Sequence, residues 1–579
     1  MAEVSNQEAA RLLDEIADML EMKGETVFKV RAYRKAAQTI AALPEPLSSL
    51  RRRDQLTTVP GIGASIAAKI AELLDTGAIA YHQELTEEFS PGLVALLRIP
   101  EVGPKTALLL YRELGIADVD SLEAACREQR LRHLKGLGAK TEENILRGIE
   151  RLRASTGRLP LALAHPHAMQ FMAALRACAP VDRIEVAGSV RRMRDNIGDL
   201  DILVTTQDPE AVMRAVPTLS LVREVTASGP TKTSVISNLG VEVDVRVLEP
   251  ESFGAGLQYF TGSKDHNVKL RELAVKRGLK LSEYGVFAAD TGARLGGATE
   301  EQMYGALGMP LIPPELRENT GEIELATQGL VPPLVTVADL QGDLHVHTDW
   351  SDGRGSLEQM AARARERGYR YLAICDHSVS RAIANGLSAQ RLAQQRAEIA
   401  RLNAAHPDLR LLAGVEVDIR RDGSLDYPNE VLASLDLVVA SVHSAFNISE
   451  QDMTERILAA MRNPYVDIIG HPTGRIIGQR EPYLVDMERL LAEAARLGVA
   501  MEINAFPDRL DLKDVHARRA QELGVMLAID TDAHHPDHLD LVSYGVATAR
   551  RGWVAPGTVL NALPLDQLLA RLRRNRGHG

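Results

Sequence analysis

The sequence predicts a multidomain fold with three parts. An all-α N-terminal third is followed by an α+β middle region. The C-terminal region is α/β, built on a parallel sheet that is either closed as a barrel or open. Three observations carry this. In residues 1–153, apolar positions recur every three or four residues, as in EAARLLDEIADMLEM, with short Gly and Pro breaks between segments. From residue 180 the period drops to two in VDRIEVAGS, DLDILVTT and VEVDVRVLE, the mark of half-buried strands. After residue 338, seven short apolar runs alternate with Ala-, Arg- and Leu-rich helical stretches.

Composition limits the function classes. A chain of 579 residues holds about three to five domains at roughly 100–200 residues each. The 45% hydrophobic and 25% charged fractions exclude bulk disorder. No apolar run reaches the roughly 20 residues a membrane helix needs, so no membrane partner is expected. The start MAEVSNQEAARLLDEIADML has no signal region. Cys126, Cys178 and Cys375 are far apart and odd in number, which argues against a disulfide framework and for a reducing cytoplasm. The net charge of −11 speaks against a nucleic-acid partner until it is counted by segment. Residues 1–160 carry only −1, with basic runs at KVRAYRK, RRR and RLRASTGR, while 161–330 and 331–579 carry −5 each.

The helical third holds three glycine turns that open into helices: VPGIGASIAAKI with Gly61 and Gly63, IPEVGPKTALLL with Gly103 and Lys105, and the looser LKGLGAKTEENI with Gly136 and Gly138. Such a turn aims backbone N–H groups at a phosphate without reading bases. One copy is commonly just a turn; the repetition makes these look like helix-hairpin-helix DNA-binding motifs. Lys29 and its basic neighbours form a second candidate DNA contact. Lys69, in the helix after the first turn, could form a Schiff base with a sugar aldehyde, although either cluster could also be a solvated helical face.

In the middle region, GDLDILV puts Asp199 and Asp201 on one face of a strand, and VEVDVRV puts Asp244 opposite its valines. Clustered carboxylates are costly without cations. A pair of divalent ions held there can activate a hydroxyl and stabilise a leaving pyrophosphate. AGSVRR at 187–192 offers backbone amides, a hydroxyl and two guanidiniums for a triphosphate. In LQYFTGSKDHNVKLR, Tyr259 and Phe260 can pack on a nucleotide sugar and Asn267 can reach a base edge.

With AYRKAA, PGIGASIAAKI, AGSVRR, GDLDILV, VDVRV, YFTGSKDHN and PPELRENTGEIE in that order, residues 1–320 resemble the family X DNA polymerases, the group containing DNA polymerase beta. The resemblance implies a Mg or Mn pair on Asp199, Asp201 and Asp244 within a nucleotidyltransferase palm. It implies Gly188, Ser189, Arg192, Gly198 and Arg158 as phosphate contacts, and Tyr259, Phe260 and Asn267 as contacts to the incoming nucleotide. Lys69 matches a 5′-deoxyribose phosphate lyase lysine, and Lys29 a 5′-phosphate ligand. Arg31 and Ser65 stand where polymerase beta has Asn and Lys.

The prolines between 310 and 333 read as a linker. Beyond it, 11 of the 16 histidines fall after residue 338, many at the ends of the apolar runs. His345 and His347 alternate on the first run, and His377, His443 and His471 each close another. Glu416 and Asp418 end the third run, Asp532 and His534 close the last, and Asp352 lies in the loop after the first. In parallel α/β folds the strand C-termini form the active face, and mixed imidazole and carboxylate ligands suit Zn, Mn or Fe. GDLHVHTDWSDG, CDHS, GVEVD, SVHS, GHPTGR and DTDAH resemble the PHP (polymerase and histidinol phosphatase) family over 339–579. That resemblance implies a distorted (βα)7 barrel with up to three metal ions. One ion would sit on His345, His347, Glu416 and Asp532, a second on Glu416, His443 and His471, and a third on Asp352, His377 and His534. Arg475, in GHPTGR, is a candidate for a substrate phosphate or a plain surface residue.

The expected boundaries are helical domains at 1–85 and 86–155, a palm at 156–255, a nucleotide-selecting subdomain at 256–318, a linker at 319–338 and the PHP barrel at 339–579. The expected activity is gap filling in DNA repair, with 3′–5′ exonuclease or phosphodiesterase, abasic-site cleavage and lyase chemistry. The expected partners are gapped or nicked duplex DNA and dNTPs, acted on by a cytoplasmic, nucleoid-associated monomer. Two rivals stay open: a polymerase fused to a small-molecule phosphatase, and a catalytically inert repair scaffold.

Overall fold

The computed structural model describes residues 6–575 except 24, 42–46, 60, 77, 89–92, 94–95, 97–98, 100–101, 135–136 and 156–157. The chain divides into two compact units, Met1–Thr156 and Gly157–Gly579.

The first unit is helical. Helices Asn6–Met22, Val27–Ala41, Ala64–Thr76 and Ala80–Glu88 share one apolar core containing Leu13, Ile16, Leu20, Ile40 and Ile70. Leu13, Ile16 and Leu20 lie three and four residues apart, so they form one buried stripe. Helices Pro104–Leu114, Val119–Arg127 and Ala139–Ser155 build a second core around Leu110, Leu122 and Ile145. The Asp118 carboxylate accepts from the Ser121 N–H at 2.7 Å and starts the middle helix.

The second unit begins with the helix Leu161–Cys178 packed on a five-stranded sheet. The strand order is Arg183–Val186, Asp199–Thr205, Glu242–Val247, Lys232–Ser237, Val222–Ser228. The central pair, Asp199–Thr205 and Glu242–Val247, is parallel, while the flanking pairs are antiparallel. Next come helices Phe253–Thr261 and Lys264–Lys276 and a three-stranded antiparallel sheet. A buried polar network ties this part together. His266 Nδ1 lies 2.6 Å from Glu322 and its Nε2 3.0 Å from the Tyr304 hydroxyl, and the fully buried Arg317 donates to Glu300 at 2.6 Å.

The proline-rich stretch expected as a linker at 319–338 is instead folded. Glu322–Thr327 is helical, and Ile323, Ala326 and Leu334 bury in one cluster with Trp553 of the C-terminal region. The prolines limit its backbone but leave its apolar side chains free to pack.

All seven apolar runs are strands: Gly342–Val346, Tyr371–Ile374, Arg410–Asp418, Leu437–Ser441, Ile468–Ile469, Ala500–Asn504 and Leu527–Asp530. They are parallel and follow chain order. The open-sheet alternative fails because the ends meet: Val346 bridges Ala533, and His347 N–H donates to Ala533 O at 2.8 Å. The result is a distorted, nearly closed seven-stranded barrel. Leu510 and Tyr544 of the barrel join the apolar core of the five-stranded sheet. Among the described residues no helix is long and apolar enough to cross a membrane.

Candidate active sites

Parallel register sets Asp199 opposite Glu242 and Asp201 opposite Asp244, so carboxylates gather at the start of two neighbouring strands. Burial, together with the charges of Asp199 and Asp244, pushes the Asp201 carboxyl up to about 7. Burial works the same way on Asp244, but Lys232 at 2.8 Å, Ser234 at 2.5 Å and Arg246 at 3.0 Å outweigh it and hold that carboxyl below its usual range. Three carboxylates in this space, one of them held near neutrality by repulsion, form a donor set that divalent cations would neutralise.

The Asp199–Asp201 edge opens into a cavity of about 470 Å³ that also holds Arg158, Ser189, Arg192, Tyr259 and Asn267. Gly188 stands at φ +66°, and a Cβ there would lie 2.9 Å from Asp201 Oδ2, so only glycine lets the loop pass this carboxylate. The Ser189 hydroxyl is buried without a partner at the mouth of the short helix Gly188–Arg191, which suits it to a phosphate oxygen. Gly198 lies 3.9 Å, at its would-be Cβ, from the Arg158 guanidinium. Tyr259 and Phe260 meet edge to face at 5.1 Å, and Arg246 stacks 4.6 Å over Phe260. The Asn267 amide donates to Tyr259 O and accepts from Gln258, both at 2.7 Å. One expectation fails: Arg191 is a fork onto Glu300 at 2.9 and 2.7 Å, so the loop offers Arg192 but not a second guanidinium. Lys264 and Arg271, which line the same cavity, were not singled out in the sequence; their signal was their helical spacing from Asn267.

In the barrel, Glu416 is the hub. Its carboxylate lies 2.8 Å from His377 Nδ1, 3.2 Å from His443 Nε2, 3.0 Å from His471 Nε2 and 3.6 Å from His345 Nε2. His347 Nε2 lies 3.1 Å from Asp532, and His377 and His534 flank Asp352 at 3.5 and 3.4 Å. Three sets can each hold one ion: His345, His347 and Asp532; His377, Glu416 and His443; and His347, Asp352, His377 and His534. All three differ from the sequence expectation: the first lacks Glu416, which still lies 3.6 Å from His345, the second takes His377 where His471 was assigned, although His471 still touches Glu416, and the third adds His347. The reason for the second is that His377 and His443 approach from the two strands beside Glu416.

Burial acts to raise Glu416, but His443, His377 and His345 overcome it and hold it well below its ordinary range. Burial and its imidazole neighbours His534 and His377 push His347 down to about 4. His345 Nε2, both ring nitrogens of His347 and His377 Nδ1 are buried without hydrogen-bond partners. Burial acts to lower His345 and His377, but Glu416 and the carboxylates around it overcome this and push His345 well above its ordinary range and His377 up to about 10. Imidazole nitrogens turned inward beside ionised carboxylates form a donor set that divalent metal would fit in place of those protons. His471 and Asp532 adopt positive φ, +29° and +53°, a backbone strain that clusters at functional sites. Outer partners fix the rings: Glu502 on His345 Nδ1 at 2.6 Å, and Asp418 on His443 Nδ1 at 2.6 Å. Glu502 was not read from the sequence. Its signal is a lone acid in the fully buried run AMEIN.

The Arg475 guanidinium is bonded away from these donor sets. It donates to Arg509 O at 2.7 Å, to Leu510 O at 2.6 Å and to Asp195 of the palm at 3.1 Å, because its loop turns toward the seam.

In the helical unit, Gly61 at φ +87° and Gly63 precede the helix Ala64–Thr76, and Gly103 caps Pro104–Leu114. Gly138 precedes Ala139–Ser155. Gly136 and the Lys105 side chain lie outside the described residues. Lys29 and Lys69 converge on Tyr81, at 5.7 and 4.9 Å from the ring centre.

Known families match along the chain. A helix-hairpin-helix domain covers 4–79, a SAM-like helix-hairpin-helix tandem 93–151, a DNA polymerase beta thumb 256–318 and a PHP domain 343–505. The chain is 42% identical to the DNA polymerase/3′-5′ exonuclease PolX of Bacillus subtilis, over 98% of this chain and 99% of that protein. It is 27% identical to DNA polymerase lambda of Arabidopsis thaliana over 49% of this chain and 57% of that one. It is 38% identical to a probable phosphatase of Thermoanaerobacter over 21% of this chain and 52% of that one.

Proposed function

The chain belongs to the family X DNA polymerases that carry a C-terminal PHP domain, and on that premise we propose how its residues divide two chemistries. It is a DNA polymerase that fills short gaps during repair, joined to a PHP 3′–5′ exonuclease. The observation that carries the reading is the Asp201–Asp244 pairing at the mouth of a cavity lined by Arg158, Ser189 and Arg192.

Asp199, Asp201 and Asp244 would hold a Mg or Mn pair in the palm, and the PHP histidines with Asp352, Glu416 and Asp532 would hold up to three Zn, Mn or Fe ions. Bound there, the ions lower the pKa of an attacking hydroxyl or water and neutralise charge on the leaving oxygen. The remaining work falls to the chain. Ser189, Arg192 and Arg158 grip the triphosphate through hydroxyl and guanidinium donors. Tyr259 and Phe260 pack against the sugar, and Asn267 is held by Gln258 beside the base position. The glycine turns at Gly61, Gly103 and Gly138 hold the DNA backbone, and Lys29 takes a 5′-phosphate. Lys69 supplies an amine to the 5′-deoxyribose aldehyde. In the barrel, Glu502 and Asp418 orient His345 and His443.

We place the domains at the boundaries stated above, with 319–338 as a packed connector. We take the partners to be gapped or nicked duplex DNA and dNTPs, and the protein to be a cytoplasmic, nucleoid-associated monomer. A one-nucleotide gapped duplex with dNTPs and Mn²⁺ tests the polymerase reading. One added nucleotide supports it, and digestion without any addition would leave a nuclease scaffold.

A further inference from the structure

The PHP barrel reaches the residues behind the proposed triphosphate site through the Arg551 side chain. Arg551 ends the helix Val542–Arg551 and is almost fully buried. Its Nη1 donates to the backbone carbonyl of Arg192 at 2.9 Å and to Glu318 Oε1 at 3.0 Å. Its Nη2 donates to Asp514 at 2.7 Å, which fixes the fork from the barrel side. The same Glu318 oxygen accepts from Arg192 Nε at 3.1 Å, and Arg192 Nη1 donates to Thr261 O. Among the described residues Arg192 Nη2 has no hydrogen-bond partner, and Arg192 lines the nucleotide cavity.

One carboxylate thus accepts from both Arg192 and Arg551, with Arg194 farther off at 3.7 Å. Arg551 draws on Glu318 from one side and pins the backbone carbonyl of Arg192 from the other. Without Arg551, Glu318 would turn more of its charge toward Arg192, its other partner being Arg194 at 3.7 Å, and the stronger ion pair would hold the Arg192 guanidinium back from an incoming phosphate. The loop carrying Ser189 and Arg192 would also lose a charge-assisted hydrogen bond at its end.

We propose that Arg551 of the PHP barrel is a positioning residue for nucleotide binding by the polymerase, acting through Glu318 and the Arg192 carbonyl. This rests on the reading of the palm as a polymerase and of Arg192 as its phosphate contact. Arg551 touches neither substrate nor metal; it sets how much of the Arg192 charge faces the nucleotide.

The test measures gap-filling kinetics and 3′ digestion on the same full-length preparations. Loss of a buried charge-assisted hydrogen bond in Arg551→Ala should raise the KM for dNTP about tenfold. The kcat should change far less, and nuclease activity should persist. Arg551→Lys keeps the charge but not the fork, so its KM should fall between the two. Adding Glu318→Gln to Arg551→Ala removes the competing carboxylate and should recover part of the lost affinity, a coupling that general destabilisation would not produce. An unchanged KM in both Arg551 variants overturns the inference. Should Arg551→Ala lose both activities, Arg551→Lys decides: wild-type KM with intact digestion would equally overturn it. A wild-type protein that adds no nucleotide sinks the polymerase reading itself, and the inference falls with it.

Discussion

Asp201 and Asp244 are register partners on adjacent parallel strands, two carboxylates facing the same side of the sheet with Asp199 beside them. Burial and mutual repulsion hold Asp201 at about 7. Lys232, Ser234 and Arg246 bond Asp244 directly, while at Asp201 the charges of Arg246 and Lys232 only partly offset burial and repulsion.

Asp244→Ala should therefore lower nucleotide addition by roughly three orders of magnitude, the scale of several kcal/mol of charge stabilisation. Its 3′ digestion should stay at wild-type level. Primer extension and digestion assayed side by side check this, and undiminished gap filling would place the polymerase centre elsewhere.

The double variant His345→Ala, His347→Ala removes two of three donors from one metal set and one from another. Digestion of a 3′ end should vanish while gap filling remains. Persistent digestion would mean that the barrel is not the nuclease.

Glu502 carries no proposed metal contact, yet it holds His345 Nδ1 at 2.6 Å in a fully buried position. Glu502→Gln should weaken metal affinity by about 10–100-fold. A Mn²⁺ titration of nuclease activity would read this as a higher half-saturating concentration. Equal titration curves would reduce Glu502 to packing.

Lys69 lies 4.9 Å from the Tyr81 ring centre, with Lys29 on the same ring. Borohydride trapping on 5′-deoxyribose phosphate DNA should be largely lost in Lys69→Ala and kept in Lys29→Ala. Trapping in Lys69→Ala equal to that of wild type would exclude Lys69 as the sole nucleophile.

Acid stability offers an independent check on the region around 256–318. Burial alone would raise the Glu300 carboxyl, but Arg191 and Arg317 hold it at about 2. A depressed folded pKa gives stability that is present above the unfolded value near 4.5 and lost as pH falls toward 2, about 3 kcal/mol in all. Unfolding midpoints of wild type should therefore drop across pH 4.5 to 2. Glu300→Gln should start lower and show a shallower slope in that window.

Much of this was legible in the chain. The period-two runs fixed the strands, and a change of one residue in register would have turned Asp199, Asp201 and Asp244 to the opposite face. Histidines closing successive runs pointed to one metal face because parallel strands end together. Less visible were partners whose meaning depends on what they touch. Arg475 reads as either a phosphate ligand or a plain surface residue beside His471, and instead grips Asp195. Arg191 and Arg192 are neighbours in sequence, but Glu300 engages one and Glu318 the other.

By itself, then, the sequence determined the element types, the two sets of chemical groups and the family resemblance, because periodicity and residue chemistry are local properties. Only the tertiary structure decided that the barrel closes at Val346 and Ala533, that 319–338 is packed, that His377 joins Glu416 and His443, and that Arg551 reaches Arg192. Each is a contact between segments far apart in the chain, set by packing and by the need of buried charges for partners. Local pattern carries no record of which distant partner will meet that need.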